Sequence, residues 1–408
     1  MSSRIVLGVS GGIAAYKACE LLRRLTESGH SVRVVPTAAA LQFVGAPTWA
    51  ALSGQPVATD VWDDVHQVPH VRIGQSADLV VVAPATADLL AKAAHGIADD
   101  LLTNTLLTAR CPVVFVPAMH TEMWQHPATA ENVATLRRRG ALVVEPAVGR
   151  LTGVDTGKGR LPEPEEIFRV VARVLRRGVA APDLVGRTVV VTAGGTREYL
   201  DPVRFLGNSS SGKQGYAFAY AAAARGAEVT LVAANVSLPD PAGVDVVRVT
   251  TTEELRLAVH RVAERADAIV MAAAPSDYRP ADYSEAKLKK SDDGTAPVLS
   301  LAVNPDIAAE LGRKKRPEQV LVVFAAETAG GEAGLDNARV KLAGKNADMV
   351  VFNHVGRDKV FGADDSAVTV IDTAGTTTEL GPGSKDDLAD AVWDLVFTKM
   401  SPATSGDA

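Results

Sequence analysis

Short apolar runs alternate with longer amphipathic runs through the first half of the chain. The apolar runs are rich in β-branched residues, as is typical of buried strands, and occur at 5–8, 32–35, 79–83, 113–116 and 142–144. Helical periodicity separates them at 14–27, 88–94, 101–108 and 130–139, and Gly29 and Gly140 fit helix C-terminal caps. Strands that alternate with helices in this way predict a doubly wound parallel sheet.

The same alternation starts again after a basic helix at 164–177. Strands are predicted at 188–192, 228–233, 244–249, 268–272, 298–303, 320–325 and 349–351, followed by a hairpin of 367–372 and 376–380. A last helix covers 386–398, and the polar end 401–408 is predicted to be disordered. The pattern predicts an α/β protein with two doubly wound, Rossmann-like domains, 1–178 and 187–400, joined by a linker at 179–186.

Composition narrows the classes of function. With 408 residues, 47% of them hydrophobic, the chain can form two domains that each have a core. A net charge of −6 argues against a dedicated nucleic-acid-binding protein, and the presence of only two cysteines, Cys19 and Cys111, argues against a disulfide framework. No apolar run approaches about 18 residues, and the chain opens on a short strand instead of a signal peptide. We therefore expect a soluble, cytoplasmic protein that does not contact a membrane.

Residues 203–216 form the most informative segment, because small and hydroxyl-bearing residues lead there into an apolar, helix-like run at 217–224. A helix start has unpaired N–H groups and the positive end of the helix dipole, which together attract anions. Asn208, serines 209–211 and Gly212 could jointly hold a phosphate or a carboxylate. An ordinary serine-capped helix has the same pattern, so both interpretations stay open at this stage.

Further turns in the first half carry candidate chemistry. Residues 8–17 lack the G-x-G-x-x-G spacing, and no acidic residue ends the second strand, which disfavours an NAD site. Thr37 follows the second strand and residues 83–88 follow the third, so hydroxyl and N–H groups there fit the phosphate of a mononucleotide such as FMN. Residues 117–124 add another polar turn after the fourth strand.

These motifs together resemble the bifunctional phosphopantothenoylcysteine decarboxylase and phosphopantothenate–cysteine ligase family of coenzyme A biosynthesis, over nearly the whole chain. The resemblance rests on Ser-Gly-Gly-Ile at 10–13, Ala-Pro-Ala-Thr-Ala at 83–87 and Pro-Ala-Met at 117–119. It implies a flavodoxin-like flavoprotein domain followed by a ribokinase-like or Rossmann-like ligase domain, with FMN as cofactor. The implied flavin-site residues are Ser10, Gly11, Gly12, Ile13, Thr37, Ala83 and Thr86, together with Asp99 and Asp100 facing the flavin of a neighbouring subunit.

The resemblance also implies the chemistry of the first domain. In such enzymes FMN oxidises the cysteine side chain to a thioaldehyde, CO2 leaves, and the resulting enethiolate is protonated and reduced. His70 matches the family's catalytic histidine, and imidazole titrates near neutral pH, which suits a base. Ala118 and Met119 match substrate contacts, whereas His120 replaces the asparagine that usually binds the substrate carboxylate.

The flap at 149–161 departs further from the family pattern, because it contains no cysteine to donate the final proton. Thr152 or Gly153 lies nearest that position, so Asp155, Thr156 or water would have to act in place of the thiol. The glycine-rich composition of the flap predicts a mobile lid over flavin and substrate.

For the second domain the resemblance implies that CTP activates 4'-phosphopantothenate as an acyl-cytidylate, which cysteine then attacks. Asn208 is expected to hold the acyl-cytidylate, Lys287 to bind phosphate oxygens and Phe324 to pack on the pyrimidine. The other expected substrate and nucleotide residues are Gly194, Gly195, Ser210, Ser211, Gly212, Asp277, Lys289, Pro305, Asp306, Ile307, Ala308, Lys341 and Lys345. Mg2+ is expected to accompany the triphosphate, without an all-protein metal cage.

Two alternatives concern the first domain. It could be a catalytically silent flavin-binding regulatory or assembly module, which the missing flap cysteine and His120 would favour, or a relative of flavin prenyltransferases. The family resemblance further implies homo-oligomers, with trimers of the first domain that assemble into dodecamers and dimers of the ligase domain. Lys289 and Lys290 would then reach across the ligase dimer.

Overall fold

The computed structural model describes residues 2–57, 69–151, 155–179, 182–289, 298–327, 331–354 and 365–400. The chain divides into two compact units, Met1–Ala181 and Pro182–Ala408, and each is described by itself. Lys290, Thr152, Gly153 and the predicted tail 401–408 lie outside the described residues. Within the described residues, every helix is too short or too polar to cross a bilayer.

The first unit is built on a parallel sheet with helices on both faces. Its main elements are β1 (Arg4–Val9), α1 (Ala15–Glu27), β2 (Ser31–Pro36), α2 (Ala46–Ser53), α3 (Pro69–Ser76), β3 (Leu79–Ala85), α4 (Ala87–His95), α5 (Leu101–Thr108), β4 (Val113–Pro117), α6 (Thr121–Gln125), α7 (Pro127–Arg138), β5 (Leu142–Val143), β6 (Ala147–Arg150), β7 (Thr156–Arg160) and α8 (Pro164–Arg177). The sheet order β2-β1-β3-β4-β5 is that of flavodoxin-like folds. The predicted doubly wound sheet is therefore confirmed, and the order reverses direction between β1 and β3.

Alternate side chains of each strand in the first unit pack against the helices on opposite faces of the sheet. On β1, Ile5 and Leu7 pack under α1, α2 and α8, whereas Val6 packs under the layer that contains α3, α4, α5 and α7. Burial on both faces explains why these strands are continuous apolar runs in the sequence.

The second unit has a larger sheet of mixed direction. Its elements are β8 (Thr188–Gly194), β9 (Arg197–Tyr199), β10 (Phe205–Gly207), α9 (Lys213–Ala224), β11 (Glu228–Ala234), β12 (Val244–Val249), α10 (Thr252–Ala263), β13 (Ala268–Met271), β14 (Tyr278–Pro280), β15 (Leu301–Val303), α11 (Ile307–Lys314), β16 (Val320–Glu327), α12 (Gly331–Gly344), β17 (Met349–His354), β18 (Asp365–Asp372), β19 (Thr377–Ser384) and α13 (Lys385–Lys399). The sheet order is β12-β11-β8-β13-β16-β17-β18-β19.

Six parallel strands of this sheet follow the Rossmann order, and the predicted hairpin of β18 and β19 adds an antiparallel edge. The order reverses between β8 and β13, which places a crevice at their carboxyl ends. Helices α9 and α13 cover one face, and α10, α11 and α12 cover the other.

Two sequence expectations need correction in this unit. The extra strand expected at 298–303 begins only at Leu301, and it pairs with β14 in a two-stranded sheet of its own. Helix α9 begins at Lys213, four residues before the apolar run, because Gly212 with φ +78° ends the preceding turn. Asn208 is therefore not the N-cap of α9.

Candidate active sites at the carboxyl ends of the two sheets

Ser10 joins two turns at the point where the first sheet reverses direction. Its hydroxyl donates to Pro84 O at 2.8 Å and accepts from the Thr86 N–H at 2.9 Å. Ser10 is buried, so both bonds form away from solvent. Its hydroxyl therefore holds the turns together, and the groups left for a ligand at residues 10–13 belong to the backbone.

Gly11 allows a third turn to approach. A Cβ atom at Gly11 would lie 2.3 Å from Ala39 Cβ, closer than real side chains come. The approaching turn begins at Thr37, whose Oγ1 accepts from the Ala40 N–H at 3.2 Å. Helix α1 starts beside these turns without a side-chain cap, and such a start is available to an anion. Small residues and an uncapped helix start fit the phosphate end of FMN.

The neighbouring predicted flavin residues have partners within the unit. Thr86 caps α4 by accepting from the Leu89 N–H at 3.4 Å, and Asp100 caps α5 by accepting from the Thr103 N–H at 2.8 Å. Asp99 pairs with Lys92 at 2.9 Å, and the hydrogen bond from Lys92 lowers the pKa of Asp99. Ile13, in contrast, is 67% exposed. Contact between Asp99 or Asp100 and a neighbour's flavin stays a prediction.

His70 lies on α3, a helix that the sequence pattern did not indicate. A Cβ atom at Gly74 would lie 2.3 Å from Thr108 Oγ1, so glycine lets α3 pack closely on α5. The Thr108 hydroxyl also donates to His70 O at 2.9 Å and fixes the backbone there. The ring atom Nδ1 of His70 is buried and has no hydrogen-bond partner within the described part of the chain. A buried polar atom without a partner calls for an explanation, and a hydrogen bond to a bound substrate or cofactor is one.

The flap is an antiparallel hairpin of β6 and β7 that rests on the Pro-Ala-Met turn. The Met119 N–H donates to Gly159 O at 2.9 Å, and the Ala118 N–H donates to Ala85 O at 3.1 Å. A Cβ atom at Gly159 would lie 2.1 Å from Met119 O, so only glycine permits this contact. The second strand of the predicted lid is thus docked, while Asp155 and Thr156 are exposed at its beginning.

His120 follows Met119 and is exposed at the start of α6. The hairpin is further held by Glu145, whose carboxylate pairs with Lys158 and Arg137, each at 2.7 Å. Burial raises the pKa of Glu145, but the hydrogen bonds from the two cations outweigh that effect and the net pKa is lowered.

The second unit contains a cavity of about 670 Å3 at the carboxyl end of its sheet. Its lining brings together most of the predicted nucleotide residues from separate segments: Asn208, Ser210, Ser211, Gly212, Asp277, Pro305, Asp306, Ile307, Ala308, Phe324, Lys341 and Lys345. Among described residues without a sequence prediction, the lining also includes Asn353 and Lys385. The Asn208 side chain is oriented by donation from Nδ2 to Pro275 O at 2.8 Å.

Gly194 and Gly195 support the cavity from outside its lining. Gly194 has φ +84°, and a Cβ atom on it would lie 2.0 Å from Ala234 O. A Cβ atom at Gly195 would lie 2.4 Å from Asn208 O. Gly194 therefore lets the end of β11 come close to the end of β8, and Gly195 lets the turn at residue 208 do the same.

Lys287 and Lys289 are exposed and are not among the described residues that line the cavity. The segment between them is anchored elsewhere, because the Leu288 N–H donates to Asp201 Oδ2 at 3.2 Å and Arg204 Nη2 donates to Leu288 O at 2.5 Å. Asp201 is fully buried and was missed from the sequence, where only its position before a proline marks it as a turn residue. Phosphate binding by Lys287 and Lys289 stays a prediction.

A buried polar network positions the loops that carry Asp277 and Asp306. Thr252 Oγ1 donates to Glu198 Oε1 at 2.7 Å, and it accepts from Thr196 Oγ1 at 2.9 Å and from Asn304 Nδ2 at 3.3 Å. The Asn304 N–H donates in turn to Asp277 O at 2.9 Å. The Thr196 and Thr252 hydroxyls each donate one hydrogen bond and also accept, so the donors of the network run from Thr196 through Thr252 to the Glu198 carboxylate.

Asp306 and Lys345 link two walls of the cavity. One carboxylate oxygen of Asp306 caps α11 by accepting from the Ala309 N–H at 3.0 Å, and the other pairs with Lys345 Nζ. Burial raises the pKa of Asp306, but the hydrogen bond from Lys345 outweighs it and the net pKa is lowered. Lys345 is one residue beyond α12, and its N–H donates to Lys341 O at 3.0 Å, so the two lysines occupy consecutive turns as expected.

Phe324 is partly buried, and its ring meets that of Phe218 edge-on, with centroids 5.5 Å apart. The ring is therefore fixed from the side of α9 while it also lines the cavity.

Comparison with known proteins covers both units. The family model described as Flavoprotein matches residues 1–176, and the model described as DNA/pantothenate metabolism flavoprotein C-terminal domain matches residues 184–400. The chain is 56% identical over 412 aligned residues to the coenzyme A biosynthesis bifunctional protein CoaBC of Mycobacterium tuberculosis, covering 98% of each chain. Proteins of the same name match at 43% identity from Vibrio cholerae, covering 97% of this chain and 98% of that one, and from Bacillus subtilis, covering 94% of each.

Proposed function

The chain belongs to the family of bifunctional coenzyme A biosynthesis proteins, and from this membership we propose how its two units share the work. It is a bifunctional enzyme with a flavoprotein decarboxylase unit followed by a ligase unit. We propose that the second unit joins 4'-phosphopantothenate to cysteine at the expense of CTP, and that the first converts the phosphopantothenoylcysteine to 4'-phosphopantetheine. A catalytically silent first unit is not favoured, because relatives matched over nearly the full length are named as bifunctional.

The cavity of the second unit is the observation that carries the ligase proposal. It gathers residues from at least five segments of the chain around a space of about 670 Å3, which is of the size that small-molecule sites have. A carboxylate oxygen of phosphopantothenate attacks the α-phosphorus of CTP and pyrophosphate leaves. The cysteine amine then attacks the acyl carbon, CMP leaves and the amine loses a proton. Lys341 and Lys345 supply positive charge for the phosphate oxygens, and Asn208 orients the acyl-cytidylate.

Mg2+ is proposed to enter this cavity with the triphosphate. Asp277 and Asp306 are the two carboxylates among the described lining residues, and the described chain holds no cluster of three or more metal-ligating side chains. Mg2+ commonly binds through substrate phosphates, water and one or two carboxylates, so two carboxylates together with the triphosphate are a suitable set of ligands.

FMN is the cofactor of the first unit, and the turns around Ser10, Thr37 and Thr86 are proposed to hold its phosphate. When bound, FMN supplies a two-electron redox centre beside the substrate. His70 accepts a proton from the substrate at its buried ring nitrogen, because that atom has no partner within the described chain. His120 donates a hydrogen bond to the substrate carboxylate, and the docked β7 strand holds the Pro-Ala-Met turn through the bond from the Met119 N–H to Gly159 O.

The proposed assembly consists of trimers of the first unit, which build dodecamers, and dimers of the ligase unit. The arm formed by β14 and β15 supports the dimer, because it presents apolar side chains to solvent. Tyr278 on β14 is 53% exposed and Val303 on β15 is 73% exposed. The substrates are small polar metabolites, and a cytoplasmic location is proposed with them.

Separate assays of the two half-reactions test the proposal. The purified full chain is given phosphopantothenate, cysteine, Mg2+ and either CTP or ATP, and pyrophosphate release is measured. In parallel it is given phosphopantothenoylcysteine without nucleotide, and CO2 release is measured. We expect pyrophosphate with CTP and CO2 without it. Absence of pyrophosphate with both nucleotides would refute the ligase assignment, and absence of CO2 from the FMN-loaded protein would refute the decarboxylase assignment.

A further inference from the structure

Asn353 on β17 carries a polar atom that the mechanism above does not use. Its side-chain oxygen Oδ1 is buried and has no hydrogen-bond partner within the described residues. The residue lines the cavity of the second unit. A buried carbonyl oxygen without a donor is unfavourable, and native proteins retain such groups where a ligand supplies the partner. Because the unpaired atom is an acceptor, the missing partner is a hydrogen-bond donor.

The position of Asn353 on the sheet places it beside Phe324. Strands β16 and β17 are parallel neighbours, in which Phe324 pairs with Val351 and Ala326 pairs with Asn353. Side chains two residues apart on a strand lie on the same face, so Asn353 is on the face of Val351 and Phe324. Neighbouring strands lie about 4.8 Å apart and two residues along a strand span about 6.6 Å, so Phe324 and Asn353 are diagonal neighbours about 8 Å apart. A flat ring packed against Phe324 would therefore present an edge to Asn353.

Charge distinguishes this part of the cavity from the part that suits phosphates. Lys341 and Lys345 belong to the α12 side of the sheet, whereas Val351, which shares its face with Asn353, packs on the side of α9 and α13. Triphosphate oxygens favour the lysines and the backbone donors at 208–212. The aromatic ring of Phe324 and the amide of Asn353 are left for the base.

We propose that Asn353 Oδ1 accepts a hydrogen bond from the exocyclic amino group of the base and thereby selects cytosine over uracil nucleotides. This inference rests on the proposed CTP-dependent ligase. At position 4 cytosine carries an amino donor, whereas uracil carries a carbonyl acceptor. An acceptor in the protein forms a hydrogen bond with the amino group of cytosine. With uracil, two oxygen atoms face each other and repel. A site built to pair with a substrate N–H group discriminates strongly against an analogue that lacks it.

The test compares CTP with UTP in wild type and in Asn353→Leu, which has nearly the same shape but no acceptor. Wild type should prefer CTP in kcat/KM for pyrophosphate release. In Asn353→Leu the kcat/KM for CTP should fall by about 10- to 100-fold while that for UTP stays the same or rises. Asn353→Asp retains an oxygen at the same position and should keep the preference for CTP. Phe324→Leu is the matched control in the cavity and should lower kcat/KM for CTP and for UTP by the same factor.

Calorimetric binding of CTP and UTP to the full chain separates this inference from the proposed function. Selective binding of CTP that is lost in Asn353→Leu supports base recognition by Asn353, even where no ligation follows. Equal binding of CTP and UTP to wild type overturns it. A CTP preference that survives in a folded Asn353→Leu variant also overturns the inference. If Asn353→Leu does not fold, loss of the CTP preference in Asn353→Asp overturns the inference instead.

Discussion

Replacing Thr252 by valine removes the hydroxyl at the centre of the buried network in the ligase unit and changes the side-chain volume little. Thr252 is fully buried, and its Oγ1 bonds with Glu198, Thr196 and Asn304 at 2.7, 2.9 and 3.3 Å. Valine leaves the Thr196 hydroxyl and one Asn304 N–H without an acceptor. Each donor that loses its partner costs about 1–3 kcal/mol, so the loss of two should lower the free energy of unfolding by about 2–6 kcal/mol.

Thr252→Ser is the matched control, because serine keeps the hydroxyl and loses only a methyl group, at about 1 kcal/mol. Scanning calorimetry of the full chain gives the midpoints of both units, and the transition that CTP raises belongs to the ligase unit. For a unit of this size, Thr252→Val should lower that midpoint by about 5–15 °C and leave the other transition unchanged.

The same substitution should affect nucleotide binding, since Asn304 connects the network to Asp277 and precedes the segment that carries Asp306. We expect the KM for CTP to rise by about tenfold in Thr252→Val, with CO2 release from phosphopantothenoylcysteine unchanged. Equal midpoints and equal KM values for Thr252→Val and Thr252→Ser would refute the positioning role of the network.

Three further predictions follow from particular side chains. His70→Asn should lower CO2 release by about 10²- to 10⁴-fold while pyrophosphate release stays within about twofold; a parallel loss of both activities would contradict the role of His70. The Arg225 side chain is 4% exposed and pairs with Asp183 and Asp394, so Arg225→Met should lower the free energy of unfolding by about 3 kcal/mol. The surface control Arg339→Met should lower it by less than about 1 kcal/mol. Similar denaturation midpoints for the two variants would exclude a special role for the buried arginine. The pKa of Asp306 is lowered in the folded state, so its pair with Lys345 stabilises the fold fully above the unfolded pKa of about 4 and loses that effect as the pH falls through the folded pKa. The stability difference between wild type and Lys345→Met should be about 0.5–1 kcal/mol at pH 7, because the carboxylate is half exposed, and should shrink steadily as denaturation is repeated at pH values below about 4. A difference that stays constant down to the lowest pH would contradict the pair.

The sheets were predictable from the sequence because buried parallel strands are short apolar runs separated by helical periodicity. The fold class and the family are confirmed, and helix α8 spans the predicted residues Pro164–Arg177. The strand order was not predictable, since it depends on which strands pair across long segments of chain. The edge strand β15 shows the same limit, because pattern alone does not tell which sheet a short apolar run joins.

The candidate site was predictable where one segment carries the whole motif. The turns at 208–212 and 305–308 line one cavity of the second unit, and nucleotide binding by them stays a prediction. Residues that act through contacts distant in sequence were missed: Glu198 and Thr252 are 54 positions apart, and neither belongs to a local motif. Asn353 was missed because an asparagine that ends an apolar strand looks like an ordinary turn residue. Lys287 was expected at the site from its spacing to Asp277, and spacing does not determine where a loop is anchored.

The conversion of phosphopantothenate to phosphopantetheine by the single purified chain tests the central claim most directly. The FMN-loaded protein is incubated with 4'-phosphopantothenate, cysteine, Mg2+ and CTP, with ATP in a parallel tube, and the products are identified by mass spectrometry. We predict 4'-phosphopantetheine in the CTP tube. Accumulation of phosphopantothenoylcysteine without further change would contradict catalysis by the first unit, and the absence of both products would contradict the account of both units.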